Sequence, residues 1–294
     1  MTSHRTPALM LLLIAAAVGN AFAQDRGVDA RNITTNTSIT GSLTQTAAGQ
    51  SGQSTQQTIA IGGVSGEVVA NNVNATALVG AAIAQTTTGA SRQNIGIGSV
   101  QGNVRARNVT VNGGAVGVIT QTGIGRIEQR IGIGTVQGEV DARDIVATGV
   151  IGGLVTQTGA GSSIGDKQLI LVGGVSDVEG RNLTAVGAIG GVVTQSSIGA
   201  IAGKNTQQLL VGSIHDSEVR NVSTNGAVGG FVTQIAGSGL AGRNLQIINV
   251  GSVNGASIRD ATTFALVTGN LTQLGTSAGN ENRQKMILGG IDGR

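Results

Sequence analysis

The chain has 294 residues, with 50 glycines, one proline, no cysteine, no tryptophan and no tyrosine, and only 11% of it is charged. At 39% apolar it is too hydrophobic for a disordered tail, and with 1% aromatics too poor in rings for an ordinary packed core, which argues against a conventional α/β enzyme. The 18 basic and 15 acidic residues leave a formal charge of +3, a thin excess spread along the chain, so nucleic acid is not expected as a partner.

In chain order, the first element is an address and not part of the fold. Arg5 gives a basic start, residues 8–18 form an unbroken apolar run, and Ala21-Phe22-Ala23 supplies a small-x-small step before a cut. Residues 1–23 therefore read as a secretory signal peptide, which makes the expected location extracellular. The apolar run is shorter than the roughly 20 residues a spanning helix needs, and no later segment has that character, so no membrane insertion is expected. Without cysteine there is neither a lipidation site nor a disulfide. Cleavage also removes Pro7, the one proline, so nothing in residues 24–294 blocks a backbone ladder bond.

Residues 24–294 are seven tandem copies of a unit of 36 to 40 residues, beginning near residues 31, 71, 107, 143, 181, 220 and 259. Each beginning is an arginine, Arg31, Arg107, Arg143, Arg181, Arg220 or Arg259, with Asn71 in the second copy. Fourteen residues later stands a first glutamine, usually after threonine: Gln45, Gln85, Gln121, Gln157, Gln195, Gln234 and Gln273. A second opens a Gln-x-Φ-x-Φ-Gly-x-Φ step, where Φ is aliphatic or Met: Gln57, Gln93, Gln129, Gln168, Gln207, Gln246 and Gln284. Between the two glutamines the distance varies from 8 to 12 residues in a stretch rich in Gly, Ser and Ala, as in a surface loop. Each unit reads as two extended segments joined by a tolerant arc.

Two residues before the first glutamine every copy has an aliphatic: Leu43, Ile83, Ile119, Val155, Val193, Val232 and Leu271. Four before it stands Gly or Ala, and six before it an aliphatic or Ala. These positions share one parity, hence one face of a strand, and the glutamine lies on that face too. A single unit has too few such aliphatics to offset the entropy of ordering it. Stacking pairs each backbone with the next copy, sets aliphatic on aliphatic and aligns the glutamines into amide ladders. The expected fold is all-β, a β-solenoid or stacked β-arch. The arginines would form a column on an exposed rim, where repulsion at about 5 Å in water is only about 0.8 kcal/mol per pair. Acidic residues just upstream, Asp141, Glu179 and Glu218 among them, can offset it. These interleaved carboxylates, and the lack of stacking aromatics, argue against a column that grips anionic polysaccharide or DNA.

Other motifs have plainer readings. Gly-x-Gly steps such as Gly132-Ile133-Gly134 recur inside strand segments with no helix following, so they are structural and no cofactor is expected. His215 is the one histidine after the signal, which leaves no expected metal site. The acidic residues follow the period and do not cluster as in a polysaccharide-cleaving β-helix, so no catalytic residue is expected. Asn-x-Ser/Thr sequons at Asn32, Asn74, Asn108, Asn182, Asn221 and Asn270 mostly follow from the repeat itself. An ice-binding Thr-x-Thr array needs a flat face with more than one threonine column, and the threonine before the glutamine is read as one column only.

The signal peptide, the tandem Gly-, Asn- and Gln-rich units, and the spacing of Gln121, Gly123 and Gln129 or of Gln157, Gly159 and Gln168 resemble secreted bacterial functional amyloids of the curlin and Fap types. The resemblance implies a fibre subunit of a biofilm matrix or cell surface. The repeat also runs to Met286, Leu288 and Ile291 with no polar capping unit, so copies are expected to add end to end. The expected partner is therefore a further copy, with a nucleator subunit and an outer-membrane secretion pore as accessories. The alternatives are a monomeric surface adhesin or glycan-binding module, and a minor nucleator of a fibre.

Overall fold

The computed structural model describes residues 28–48, 54–160, 166–200, 204–238, 242–278 and 281–292. The expected signal peptide lies outside them, as do parts of the longer arcs. The described chain is all-β and winds as a solenoid whose strands pair in parallel, each with its counterpart one turn away. We call one turn a rung. Each rung contributes one layer, and the layer has three sides in place of the two segments expected from sequence.

Sheet A holds the longest strands, such as Val100–Ala115 and Val136–Ile151. Sheet B holds seven short strands, Leu43–Ala48 through Asn270–Ser277, and sheet C seven more, Ser54–Ile61 through Asn282–Leu288. The register is that of the sequence repeat: Gln121 pairs with Gln157 in sheet B and Gln129 with Gln168 in sheet C. The tolerant arc joins sheet B to sheet C. In its shortest form it is a glycine bend, as at Gly89, which has φ 90°.

The sheet A strand is folded on itself at the arginine column. In the second rung Val68 and Ala70 are buried, Asn71 and Asn72 are exposed, and Val73 and Ala75 are buried again, so the inward parity switches at this corner. The corner residues Arg31, Asn71, Arg107, Arg143, Arg181, Arg220 and Arg259 are all exposed, as expected of a rim. Two cores result. One lies between the two limbs of sheet A and contains Val104, Val109, Val140 and Ile145. The other lies between the end of the second limb, sheet B and sheet C, and contains Ile119, Ile131, Ile133, Val155 and Ile170. The aliphatic column anticipated from sequence is its centre: Ile83, Ile119, Val155, Val193 and Val232 are buried, while Leu43 and Leu271 in the end rungs are half-buried.

A waist separates the cores, and there backbone meets backbone. A Cβ on Gly149 would lie 2.2 Å from the amide nitrogen of Gly173, and one on Gly134 would lie 1.7 Å from the carbonyl oxygen of Thr148. Gly134 also has φ +59°, where a side chain is strained whatever the space. The glycine that closes the Gln-x-Φ-x-Φ-Gly step is thus the inner turn of the waist. Gly134→Ala is expected to destabilise the fold by about 2–4 kcal/mol. Gly152→Ala, where the nearest atom is 4.0 Å away, should be close to neutral. Urea unfolding of the two variants checks this.

Candidate functional site

The glutamine columns face inward, as their parity required. Gln85, Gln121, Gln129, Gln157, Gln207, Gln234 and Gln246 are each 0% exposed, and Gln57, Gln93, Gln168 and Gln195 are buried too. Such groups are tolerated in an apolar core only when donors and acceptors are matched. Here each Nε2 donates to the Oε1 of the rung before it. The bonds are 2.7–2.9 Å along the sheet B column from Gln85→Gln45 to Gln273→Gln234. Along the sheet C column, from Gln93→Gln57 to Gln284→Gln246, they are 2.8–3.2 Å. The second amide hydrogen crosses to the facing sheet, from Gln121 to the carbonyl of Arg130 at 3.1 Å and from Gln129 to that of Thr158 at 3.2 Å. The two ladders therefore lock sheet B to sheet C.

Every ladder bond has the same sense, so the stack is polar. At the first rung the amide N–H groups of Gln45 and Gln57 that would continue the ladders have no glutamine before them, among the described residues. At the seventh, the Oε1 atoms of Gln273 and Gln284 have none after them. The seventh rung is also bare: Met286 and Leu288 are 43% and 49% exposed, whereas Ile248 and Val250, their register partners one rung earlier, are 0% exposed. Ile291 pairs through the short strand Ile291–Asp292 with Val253 and is 59% exposed.

Charge sits outside the cores, with one exception. Asp141, Glu179 and Glu218 share a surface groove with Arg143, Arg181 and Arg220, but no ion pair joins them among the described residues, so the expected offset acts only at longer range. On sheet C, Glu128 is bridged by Arg92 at 2.9 Å and Arg130 at 2.7 Å. Burial pushes its carboxyl up, but the hydrogen bonds and charges of these two arginines together hold it below the ordinary value. The exception is Asp166, 1% exposed, whose Oδ2 accepts from Ser197 at 2.9 Å while Oδ1 has no partner. Burial pushes this carboxyl above its ordinary value, against smaller lowering effects of Ser197 and the Ile127 backbone. Among the described residues no group of His, Cys, Asp and Glu could hold a metal ion.

Two ladders escaped the sequence reading. The residues that follow the arginine column, asparagine in most rungs and Asp144 in one, line an exposed edge beside the corner, where Asn72 donates to Asn32 at 2.7 Å, Asn182 to Asp144 at 2.6 Å and Asn221 to Asn182 at 2.8 Å. The threonine face of sheet B is the other. The expectation of one column is overturned by the register, which aligns Thr46, Thr86, Thr122, Thr158 and Ser196 into a second column beside the first. The signal is present in Thr-Gln-Thr triplets such as Thr120-Gln121-Thr122, whose two threonines share the face opposite the glutamine.

No family model, no curated protein and no solved structure matches the chain.

Two predictions follow from the buried polar groups. Gln129→Leu leaves Gln93 Oε1, one Gln168 hydrogen and the Thr158 carbonyl without partners, and is expected to cost about 2–5 kcal/mol. Adding Gln168→Leu moves the upper ladder break on to Gln207 and adds only the loss of the Ser196 carbonyl's bond to Gln168, so the pair should cost less than the sum of the single changes, as a double-mutant cycle in urea will read. For Asp166 the folded state favours the protonated carboxyl, so stability is greatest below the unfolded carboxyl value and falls as pH rises through the raised folded one. Asp166→Asn should flatten that decline and stabilise the protein at pH 7 by about 1–2 kcal/mol, measured from unfolding midpoints across pH.

Proposed function

We propose that the protein is a structural subunit that assembles end to end, each copy continuing the solenoid of the last, into an extracellular fibre. The observation that carries this reading is the polarity of the ladders. The first rung offers glutamine N–H donors and the seventh offers glutamine oxygen acceptors, so unlike ends match. Like ends would set donor against donor or acceptor against acceptor. A head-to-tail contact of this kind does not close on itself and generates an open filament.

Side-chain matching at the proposed joint supports it. Continuing the register from the seventh rung to the first rung of another copy sets Gln273 on Gln45, Gln284 on Gln57, Leu271 on Leu43 and Arg259 on Arg31. These are the same pairs, rung for rung, that join neighbouring turns within the chain. The joint would also cover the aliphatics that the end rungs leave exposed, and such open parallel edges are sites of further pairing. The signal-peptide reading of residues 1–23 supports an extracellular setting.

Purified protein is expected to form unbranched filaments with a reflection at about 4.7–4.8 Å along the axis, seeded by preformed filament ends. Leu271→Lys places an ammonium on the open end, where it can reach solvent, so the monomer should still fold but elongation should stop. Val155→Lys, in the middle of the stack, should prevent folding instead, because its charge has no exit. A wild-type protein that stays monodisperse at high concentration, with no effect of seeds, would overturn the reading in favour of a monomeric adhesin.

A further inference from the structure

The outward face of sheet B differs from every other face of the solenoid. None of its seven strands contains a charged residue, whereas the strands of sheets A and C carry charges in most rungs. One outward column is Thr44, Thr120, Thr156, Thr194, Thr233 and Thr272, with Ala84 in the second rung. Two residues along each strand runs the second column, Thr46 to Ser196 through five rungs. Apolar side chains flank the pair, Val118, Leu154 and Val192 on one side and Ile124 and Ile198 on the other, each 38–55% exposed.

The hydroxyls of these two columns have no partner within the chain among the described residues. Inward hydroxyls of the same region do: Thr87 bonds Ser91 at 2.7 Å and Ser197 bonds Asp166 at 2.9 Å. Rungs lie about 4.8 Å apart and alternate residues about 6.7 Å apart along a strand, so the free hydroxyls and their methyls form a rectangular lattice. Threonine is stiff at χ1, and a closed parallel stack holds the backbone beneath it, so little freedom remains to be lost on binding an ordered surface.

We propose that this face binds ice. Hexagonal ice presents oxygen rows at comparable intervals on its prism faces. A hydroxyl can take the place of a lattice water, while the adjacent methyl cages water without competing for its hydrogen bonds. Charges would impose a radial hydration shell that no ice plane contains, and this face has none. A dry contact with a second copy fits less well. It would bury two columns of hydroxyls without partners, at about 1–3 kcal/mol for each one left unmatched. The inference does not depend on end-to-end assembly, since one molecule already displays the lattice over five rungs, interrupted only at Ala84.

The test uses the purified full chain in an ice-affinity partition and in measurement of thermal hysteresis. Wild-type protein is expected to enter ice and to facet its crystals. Thr122→Lys/Thr158→Lys, two outward changes in the middle of the lattice, should abolish both effects while the β circular-dichroism signal is retained. Thr110→Lys, outward on sheet A, should leave them unchanged. Exclusion of the wild type from growing ice, or undiminished adsorption by the double variant, would overturn the proposal. So would a dimer in sedimentation that the same lysines dissociate, if no ice adsorption accompanies it.

Discussion

Parallel in-register stacking sets every side chain directly against its own counterpart one rung away, and nearly everything else in the structure follows from that juxtaposition. A residue is acceptable in a column only if it can be its own neighbour. Glutamine can, because it carries both donor and acceptor, and the inward columns at Gln121 and Gln129 are unbroken through all seven rungs. Isoleucine and valine can, because aliphatic surface is self-complementary. A charge can only where water screens it: at rung spacing two arginines repel by about 0.9 kcal/mol in water and several times that in a protein-like medium. The arginine columns accordingly stand at the exposed corner, and Asp166 is buried where its neighbours in the column are Asn205 and Ile127, neither of them charged.

This rule also marks what could be read from the sequence. Periodicity and parity revealed the repeat, the inward aliphatics at Ile119 and Val155 and both glutamine ladders, since those depend only on a residue and its own copies. The number of sides per rung did not, because it depends on contacts between different columns. The sequence reading divided sheet A at the arginine, so one segment hid the turn from sheet A into sheet B and the other hid the turn from sheet C into sheet A, and the fold at the arginine corner is visible only as a parity change at Asn71 and Asn72. The waist was hidden for the same reason. Gly173 stands out as the closing glycine of its Gln-x-Φ-x-Φ-Gly step, but only the structure shows that the backbone of Gly149 lies against it.

The glutamine ladders do more than satisfy buried polarity. An aliphatic stack alone would tolerate a slip of two residues along the strand, since alternate positions remain apolar. A slip would move each amide off its partner and leave buried donors and acceptors unmatched, at about 1–3 kcal/mol apiece. With two ladders per rung, and cross-bonds from Gln121 to sheet C and from Gln129 to sheet B, a slipped rung is penalised on both sides of the core at once. The amides thus supply register, while the aliphatics supply most of the driving force.

Register with a fixed sense connects folding to the proposed assembly. In a solenoid each rung is stabilised chiefly by its neighbours, and propagation within one chain is the repeated addition of a rung to an existing template. Addition of another copy at the seventh rung is the same step with a break in the chain, and it differs only in the entropy of bringing in a separate molecule. That cost is met once for seven rungs, not once for each. A sealed end would need a residue that refuses its own kind, such as a proline or an inward charge, and the described end rungs carry Leu43, Gln45, Leu271 and Gln273 in these positions. The columns that make a rung its own best neighbour are therefore the same ones that the proposed joint would use.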